Sequence, residues 1–508
     1  MMSATSAQMS TAKSLLLGTT AGFVVIAAAR AADRPIEAKP VQYVKICTGW
    51  GDGFYYIPGT DTCLKIGGFL RVQAEYNAGG GGIAVGNGNQ AGQARFDRTS
   101  TNDVNYRTRA ALSWDARQKT EYGDLRAVLR IGMQISTPAD PESGVVFWDR
   151  AFLEFAGFTV GKTLSFFDIF TYNGALSYHN ARTTGDTNIS NGVTVWAYTA
   201  QFGNGFSATL SLESPGGHNH APVVDAATAG FFAVNGAIVG DTAFAQNAGG
   251  NGFRMPDIVA NLRVDRAWGY AGVSGVLHEA GGAYYLTPDN VNNGHPADGR
   301  GWAFAGGAQL NLQGGDLFGF NVCYAEGASG YCTNQGSMQV YNSSTSVAAA
   351  WITDGVFTTG TEVDLTRVWS AIAAYQHFWN PRWRTSWFGG YVNVDYNSTA
   401  TNILNSALVA GSVCVRPFAG LVGNFSAIRA DAGNSCNPDY SFYEIGSRTQ
   451  WNPAPQLDIG FEILYTHHNT PYRGAGLYTA NAPRPAVAII DDQDVGSAFF
   501  RWQRNFYP

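Results

Sequence analysis

Three carboxylates near the C-terminal end of the chain are the first residues whose types could support chemistry: Glu444, Asp458 and Glu462. Neighbouring carboxylates can act together as general acid and general base. However, the chain contains neither a Gly-x-Ser-x-Gly nucleophile elbow nor a His-Glu-x-x-His zinc motif. We therefore expect no enzyme, and the three acids are better explained as charged groups on a hydrated wall.

Six cysteines are the second group with chemical potential. They fall into three neighbouring pairs, namely Cys47/Cys63, Cys323/Cys332 and Cys414/Cys436. Near pairs in an exported chain usually form disulfides, so we expect this sequential pairing, with other pairings and free buried thiols as the alternatives. No C-x-x-C motif occurs, and His467-His468 has no cysteine or acidic partner at metal-site spacing. The sequence thus predicts no metal and no cofactor.

The N-terminus is typical of an export signal. Lys13 precedes an apolar stretch over residues 15–29, and Ala29-Arg30-Ala31 supplies a small-x-small cleavage site. A retained anchor helix is the alternative, but the stretch is too short to span a bilayer and a charged segment follows at once. We expect residues 1–31 to be removed, which leaves 30 basic and 38 acidic residues and a net charge of −8.

The composition excludes several classes of protein. Charged residues make up 14% of the 508 residues and aromatics 13%, whereas soluble domains carry about 25% charged residues. The negative net charge argues against a nucleic-acid binder, and the abundant aromatic residues argue against disorder. Beyond residue 31, no apolar run approaches the ~20 residues of a membrane helix. What remains is a chain that enters a membrane as a closed β-barrel.

Apolar and polar residues alternate with a period of two along most of the chain, which predicts strands. Ile66, Leu70 and Val72 share one face of the first segment, and the opposite face carries Arg71 and Gln73. Each segment has 10–14 residues, the length of a tilted strand that crosses a bilayer. Sixteen segments start near Lys65, Asn102, Tyr122, Val146, Phe158, Gly192, Phe206, Asp257, Trp268, Gly301, Gly315, Thr366, Arg382, Ser441, Pro455 and Val495.

Short and long connections alternate between these predicted strands. Short turns such as Gly203-Asn204-Gly205 alternate with long segments such as 165–191 and 397–440. An up-and-down membrane barrel has tight turns at one rim and long loops at the other. Tryptophans also gather at strand ends, as in the interfacial girdles of such barrels. We therefore predict an all-β fold, a 16-stranded antiparallel transmembrane barrel over residues 65–508, preceded by an N-terminal periplasmic segment over 32–64.

Several segments resemble the porins of alphaproteobacteria, of the rhizobial and brucella type. They include PVQYVKICTGWGDGFYYIPGTDTCLKIGG (40–68), VWAYTAQFGNGFSATLSLE (195–213) and the closing RWQRNFYP (501–508). The resemblance implies a homotrimer in the bacterial outer membrane, surrounded by lipid and lipopolysaccharide, with a water-filled pore for small hydrophilic solutes and ions. One departure is the last residue, Pro508, because outer-membrane barrels usually end in an aromatic residue.

The expected function is passive diffusion through a hydrated lumen. A substrate-dedicated uptake porin is one alternative. A secreted or surface all-β protein that binds carbohydrate on its aromatic side chains is another. Heat-resistant trimers in detergent from an outer-membrane fraction would favour the channel, whereas a soluble monomer would favour the carbohydrate binder.

The resemblance also implies a constriction, because the third loop of such porins, about residues 165–191 here, folds into the pore. We expect aromatic side chains to anchor it against the wall and acids to face the lumen: Phe166, Phe167, Phe170 and Tyr172, with Asp168 and Asp186. Arginines on the inner face of the first three strands would face this acid: Arg71, Arg107, Arg109, Arg126 and Arg130. Opposed charges set a transverse field that favours dipolar solutes. The alternative is that these arginines only bridge neighbouring strands.

Overall fold

The computed structural model of the chain describes residues 45–76, 83–85, 104–136, 144–170, 192–215, 223–226, 252, 254–285, 291–333, 338–342, 346–405, 425–429, 435–473, 476–479 and 487–506. All strands described below lie in one compact unit that begins at Cys47.

Sixteen antiparallel strands form one continuous wall. They are β1 Cys63–Tyr76, β2 Val104–Thr120, β3 Gly123–Ser136, β4 Val145–Phe155, β5 Phe158–Thr163, β6 Val193–Gly203, β7 Phe206–Glu213, β8 Asp257–Arg266, β9 Gly269–Ala280, β10 Gly299–Asn311, β11 Leu317–Glu326, β12 Arg367–Asn380, β13 Trp383–Asp395, β14 Tyr440–Trp451, β15 Leu457–Asn469 and β16 Gln493–Asn505. Each strand pairs with the next, and β16 pairs with β1. The wall therefore closes into a barrel, as predicted.

The period-two alternation decides which face of each strand lies outside. In β1, Leu70 and Val72 are each 47% exposed, whereas Gln73 and Glu75, which follow them on the opposite face, are only 2% and 3% exposed. Successive side chains of a strand point to opposite faces, so the apolar set faces outward and the polar set faces the interior. Every strand starts within two residues of its predicted start.

Strand lengths depart from the expected 10–14 residues at three places. β2 has 17 residues, β7 has eight and β5 only six. β5 is short because the chain leaves the wall after Thr163 and turns into the barrel, as described below. The alternation in β4 is blurred because the pairing register shifts between Arg130 and Ile131 of β3, which makes room for one extra residue in β4.

Short turns join the strands at one rim of the barrel. β6 and β7 are joined by Asn204-Gly205, both with positive φ, as a two-residue hairpin turn with the twist of the flanking strands requires. A Cβ atom at position 205 would lie 1.9 Å from the carbonyl oxygen of Asp265. Only glycine fits this turn.

Long connections lie at the opposite rim and carry smaller elements. A small sheet joins Val223–Asp225, Gly355–Phe357 and Asp364–Leu365, and a six-stranded sheet joins Ile83–Val85, Met338–Asn342, Ser346–Trp351, Phe425–Arg429, Gly476–Thr479 and Val487–Ile490. The helix α1, Ser398–Leu404, begins at Asn397, whose side chain accepts the N–H of Ala400. Among the described residues, 3₁₀ turns lie in these connections at Val291–Asn293 and Ser329–Tyr331, and another lies in the short β10–β11 turn at Gln313–Gly315. Within the described residues, no helix has the length and apolar character needed to cross a membrane.

Two of the predicted disulfides are present. Cys47 is bonded to Cys63 at the start of β1, and Cys323 of β11 is bonded to Cys332. Cys436 is also disulfide-bonded, and its predicted partner Cys414 lies outside the described residues.

The first disulfide closes a segment that extends the wall of the barrel. The short strand Tyr55–Tyr56 pairs with the first two residues of β1. Phe54 is buried beside the disulfide, and the guanidinium of Arg117 lies 5.0 Å from the centre of its ring. The segment is thus fixed against the short-turn end of β1 and β2.

Candidate functional site

The chain turns into the barrel directly after β5. Residues 165–170, hereafter the inward segment, are held by polar side chains of three neighbouring strands. The backbone N–H of Phe166 donates to Glu213 of β7 at 2.9 Å, and its carbonyl accepts from Asn261 of β8 at 2.7 Å. The carbonyl of Phe167 accepts from the hydroxyl of Ser274 of β9 at 2.7 Å. These contacts fix the backbone of the inward segment against the inner face of the wall.

Three aromatic side chains of the inward segment lie where an anchor was predicted. Phe166 packs against buried valines of β6, and Phe167 is 3% exposed. Phe170 is 2% exposed and belongs to a cluster with Ile372 of β12 and Phe388 of β13. The segment therefore extends along the inner wall from β6 towards β12. Two predicted loop residues, Tyr172 and Asp186, lie outside the described residues.

Asp168, one of the two acids predicted in this loop, is half-buried. Its backbone N–H donates to the carbonyl of Ser165 at 3.3 Å, which closes a tight turn within the inward segment. The negative charge of its carboxylate raises the pKa of the Tyr331 hydroxyl. Asp168 therefore belongs to the inward segment, and its role as an acid that faces the lumen stays a prediction.

The five predicted arginines all lie on the inner face of β1–β3, and two of them pair with neutral amides. Arg71 donates to the side-chain oxygen of Gln503 at 2.7 Å, and the Nε of Arg109 donates to that of Gln134 at 2.8 Å. A hydrogen bond to an amide oxygen orients the guanidinium without neutralising it. Arg109 therefore keeps its positive charge on the inner face of β2.

The other three arginines form ion pairs with acids of adjacent strands. Arg107 lies 3.4 Å from Glu75, and Arg126 lies 3.0 Å from Asp115 and 2.9 Å from Glu154. Arg130 pairs with Asp149. These contacts match the alternative in which arginines bridge strands, so the wall combines bridging and amide-bound arginines.

Asp149 and Arg150 are two consecutive charged residues of β4 that are both buried and that the sequence pattern does not single out. Alternation places consecutive residues on opposite faces, which conceals such a pair. The register shift opposite Arg130 inserts one residue, and both Arg130 and Arg150 form an ion pair with Asp149. The only sequence signal was the blurred alternation of this strand.

Glu213, Asn261 and Ser274, which hold the inward segment, were not predicted either. Each is a polar residue on the inner face of its strand: Glu213 ends β7, whereas Asn261 and Ser274 lie in the middle of β8 and β9. Their alternation marks them as inner-face residues, but only the three-dimensional course of a distant loop identifies them as its anchors.

The three carboxylates near the C-terminus do not form one acid–base site. Asp458 and Glu462 are four residues apart on β15, about 13 Å at about 3.3 Å per residue. Glu444 of β14 pairs in register with Thr466, and Glu462 with Arg448. Across the described ranges, no group of three or more His, Cys, Asp or Glu residues has the geometry to hold a metal ion.

A shallow apolar groove marks the outer face of the wall at β2–β5. Its volume is about 420 Å³. Small and larger apolar side chains line it, among them Ala116, Ala127 and Ala151 with Trp114, Leu129, Leu153 and Val160. The groove includes Val160 of the six-residue strand β5.

Comparison with known proteins gives consistent matches. The family model described as "Porin subfamily" matches residues 33–495. Porin Omp2b of Brucella suis biovar 1 (strain 1330) is 30% identical over 277 residues, 52% of this chain and 65% of that protein. Porin Omp2b of Brucella abortus (strain 2308) matches with the same identity and coverage. The match thus spans less than two thirds of the length of these relatives.

Among solved structures, the crystal structure of the outer membrane channel DcaP of Acinetobacter baumannii matches with a TM-score of 0.53. The identity is 14%, and the match covers 89% of this chain and 99% of that chain. At this identity the likeness concerns the fold, a closed antiparallel barrel.

Proposed function

The chain belongs to the porin subfamily, whose model matches residues 33–495, and from this premise we propose that it forms a passive, water-filled channel. Its location is the bacterial outer membrane. The proposed cargo is small hydrophilic solutes and ions, which cross by diffusion without chemical change. A channel of this kind needs neither a catalytic residue nor a cofactor.

The difference between the two faces of the closed wall carries this proposal. Outward side chains such as Leu70 and Phe461 are about half exposed and apolar, as contact with lipid requires. Inward positions carry arginines, glutamines and acids, among them Arg109, Gln134 and Glu75. Charged side chains on an inner face are favourable where water or a paired charge solvates them. A hydrated lumen explains both faces at once.

We place the constriction at the loop of residues 165–191. The anchoring of the inward segment to β7–β9 supports this position, since hydrogen bonds to the backbone of Phe166 and Phe167 hold the first part of this loop against the inner wall. Asp168 supplies acid on the loop, and the arginines of β1–β3 supply positive charge on the wall. Because Arg109 is bound to an amide, its charge contributes to a transverse field in the lumen.

The proposed assembly is a homotrimer, with lipid and lipopolysaccharide around the remaining outer wall. β5 has six residues, which at ~3.4 Å per residue and a tilt of about 45° cover roughly 14 Å. The apolar band of an outer-membrane barrel is about 25 Å tall. The wall at β5 is thus too low to face lipid alone, and the apolar groove beside it provides a surface for a neighbouring subunit.

Residues 1–31 are proposed to be an export signal and residues 32–64 a periplasmic segment before the barrel. Mass spectrometry of the purified mature protein tests the first assignment. The proposal predicts a chain that starts at or near Ala32. Its mass should rise, by the hydrogens of the freed thiols, only after its disulfides are reduced. A mature chain that retains residues 1–31 contradicts it.

Liposome swelling tests the proposed function. Vesicles containing the purified, folded protein are placed in isotonic solutions of uncharged sugars of increasing size. The proposal predicts swelling with the small sugars and a size above which swelling stops. Swelling that is absent for every sugar, from protein shown to be folded, contradicts it.

A further inference from the structure

The loop between β11 and β12 begins with a tight turn that a disulfide closes. Cys323 of β11 is bonded to Cys332, nine residues later in the sequence. The short 3₁₀ turn Ser329–Tyr331 lies between them. Both cysteines are buried, and Tyr331 is 4% exposed. The turn therefore holds Tyr331 on a covalently closed support beside the inner wall.

Tyr331 connects the wall to the inward segment. Its hydroxyl donates to Asp257 Oδ2, at the start of β8, at 2.6 Å. Its ring meets the ring of Phe167 edge-on, with centroids 4.8 Å apart and planes at 69°. Edge-to-face contacts of this kind are among the favoured aromatic arrangements. One side chain thus contacts both a fixed strand and the segment that enters the lumen.

A buried polar network returns from the wall to the same turn. Asp257 Oδ1 lies 2.7 Å from His278 Nδ1, and His278 Nε2 lies 3.6 Å from Asp354 Oδ2. The other oxygen of Asp354 accepts both the N–H and the hydroxyl of Ser329, each at 2.7 Å. All of these residues are at most 5% exposed. Buried charges are stable only when paired or hydrogen-bonded, so the network constrains Ser329 and Tyr331 together.

The hydroxyl of Tyr331 remains a donor at neutral pH. Burial raises its pKa well above the usual value, and the neighbouring acids Asp257, Glu213 and Asp168 raise the pKa further. The bond to Asp257 is consequently a hydrogen bond from a neutral phenol to a carboxylate, which is stronger than one between two neutral groups.

We propose that Tyr331 is a positioning residue of the channel: through Phe167 it holds the inward segment in place, and thereby determines the ion preference and steadiness of the open pore. This inference rests on the proposed channel function. The carbonyl of Phe167 is bound to Ser274 independently of Tyr331. Loss of the tyrosine ring should therefore release the side-chain support of the segment while its backbone anchor remains.

Single-channel recording in planar bilayers tests the role of Tyr331 with two variants and one control. Tyr331→Phe removes only the hydroxyl, and Tyr331→Ala removes the ring as well. The control is Tyr285→Ala, because the Tyr285 hydroxyl donates to the carbonyl of Thr361 within the loops, at 2.8 Å. We expect Tyr331→Ala to increase open-channel noise and to move the reversal potential in a salt gradient towards zero. Tyr331→Phe should do so less, and Tyr285→Ala should behave like the wild type.

A double-mutant cycle with Phe167→Ala shows whether the effect passes through the inward segment. If it does, Phe167→Ala together with Tyr331→Ala shifts the reversal potential no further than Phe167→Ala alone. Heat-modifiable migration in gels confirms that each variant is folded.

Folded Tyr331→Ala channels with wild-type noise and reversal potential overturn the positioning role, and so do fully additive shifts in the cycle. Either result leaves the proposed channel function intact, since the wild-type protein still conducts. A folded wild-type protein that does not conduct overturns the channel function itself, and the positioning role with it.

Discussion

Phe170 of the inward segment lies directly over Gly319 of β11. A Cβ atom added at position 319 would come within 2.2 Å of the Phe170 ring. No side chain larger than hydrogen fits there without moving the ring. The absence of a side chain on one strand thus determines where an aromatic residue from a distant loop lies inside the barrel.

Gly319→Ala should displace the Phe170 ring without unfolding the wall, because the obstructing atoms are the far end of a side chain that can rotate. We expect a changed single-channel conductance with unchanged thermal stability of the barrel. The matched control is Gly496→Ala in β16, where an added Cβ meets nothing within 4 Å. Equal conductance in both variants would argue that Phe170 does not border the pore.

Leu70→Arg should be strongly destabilising, by roughly 2–4 kcal/mol for an arginine facing mid-bilayer lipid. Leu70 is 47% exposed on the outer face. Gln309→Arg is the matched change on the inner face of β10 and should lose little stability, because the lumen is hydrated. Unfolding in denaturant, measured for protein refolded in lipid vesicles, provides both values. Similar losses at the two positions would contradict the assignment of inner and outer faces.

Arg109→Glu should move the reversal potential in a salt gradient towards cation preference, since it reverses a charge that is bound to the neutral amide of Gln134. Asp168→Lys should move it towards anion preference. Arg266→Glu is the matched control. Arg266 lies against the outward Phe206 ring, and the substitution changes the net charge by the same amount as Arg109→Glu. If Arg109→Glu and the control give the same small shift, the constriction lies elsewhere.

The unfolding free energy should depend on Asp316 in a defined pH range. Asp316 lies in the turn between β10 and β11. Its carboxylate accepts hydrogen bonds from Tyr375, His377 and the N–H of Phe378. These bonds lower the pKa of its carboxyl from 3.8 to about 2. A carboxyl whose pKa is lower in the folded than in the unfolded state stabilises the fold at any pH above its pKa in the unfolded state. This stabilisation is lost as the pH falls through its pKa in the folded state.

Asp316→Asn should accordingly be less stable than the wild type at pH 5–7, and the difference should shrink between about pH 4 and pH 2. Denaturant unfolding at several pH values measures it. Tyr375→Phe, which removes one of the three donors, should show a smaller difference over the same range. A difference that stays constant down to pH 2 would refute the role of the carboxylate charge.

The strands and two disulfides could be predicted from the sequence because their signals are local. The alternation around Leu70 and Gln73 depends only on the pleat of one strand, and Cys323 is nine residues from Cys332. The short length of β5 could not be predicted in this way. It depends on where the loop after Thr163 goes, and the anchors of that loop lie on β7–β9.

The candidate site was predicted in part for the same reason. Positions on the inner face, such as Arg109 and Arg126, follow from alternation, but their partners depend on the register of the neighbouring strand. Asp149 was missed because a bulge interrupts the alternation. The contact of Tyr331 with Phe167 joins residues 164 positions apart in the sequence, and no local pattern indicates it.

Single-channel recording of the purified wild-type protein in a planar bilayer tests the central claim most directly. A passive, water-filled channel predicts discrete current steps whose size rises in proportion to the salt concentration, together with a stable reversal potential in a salt gradient. A folded protein that produces no current steps, or steps whose size saturates at low salt, contradicts passive diffusion through a hydrated lumen.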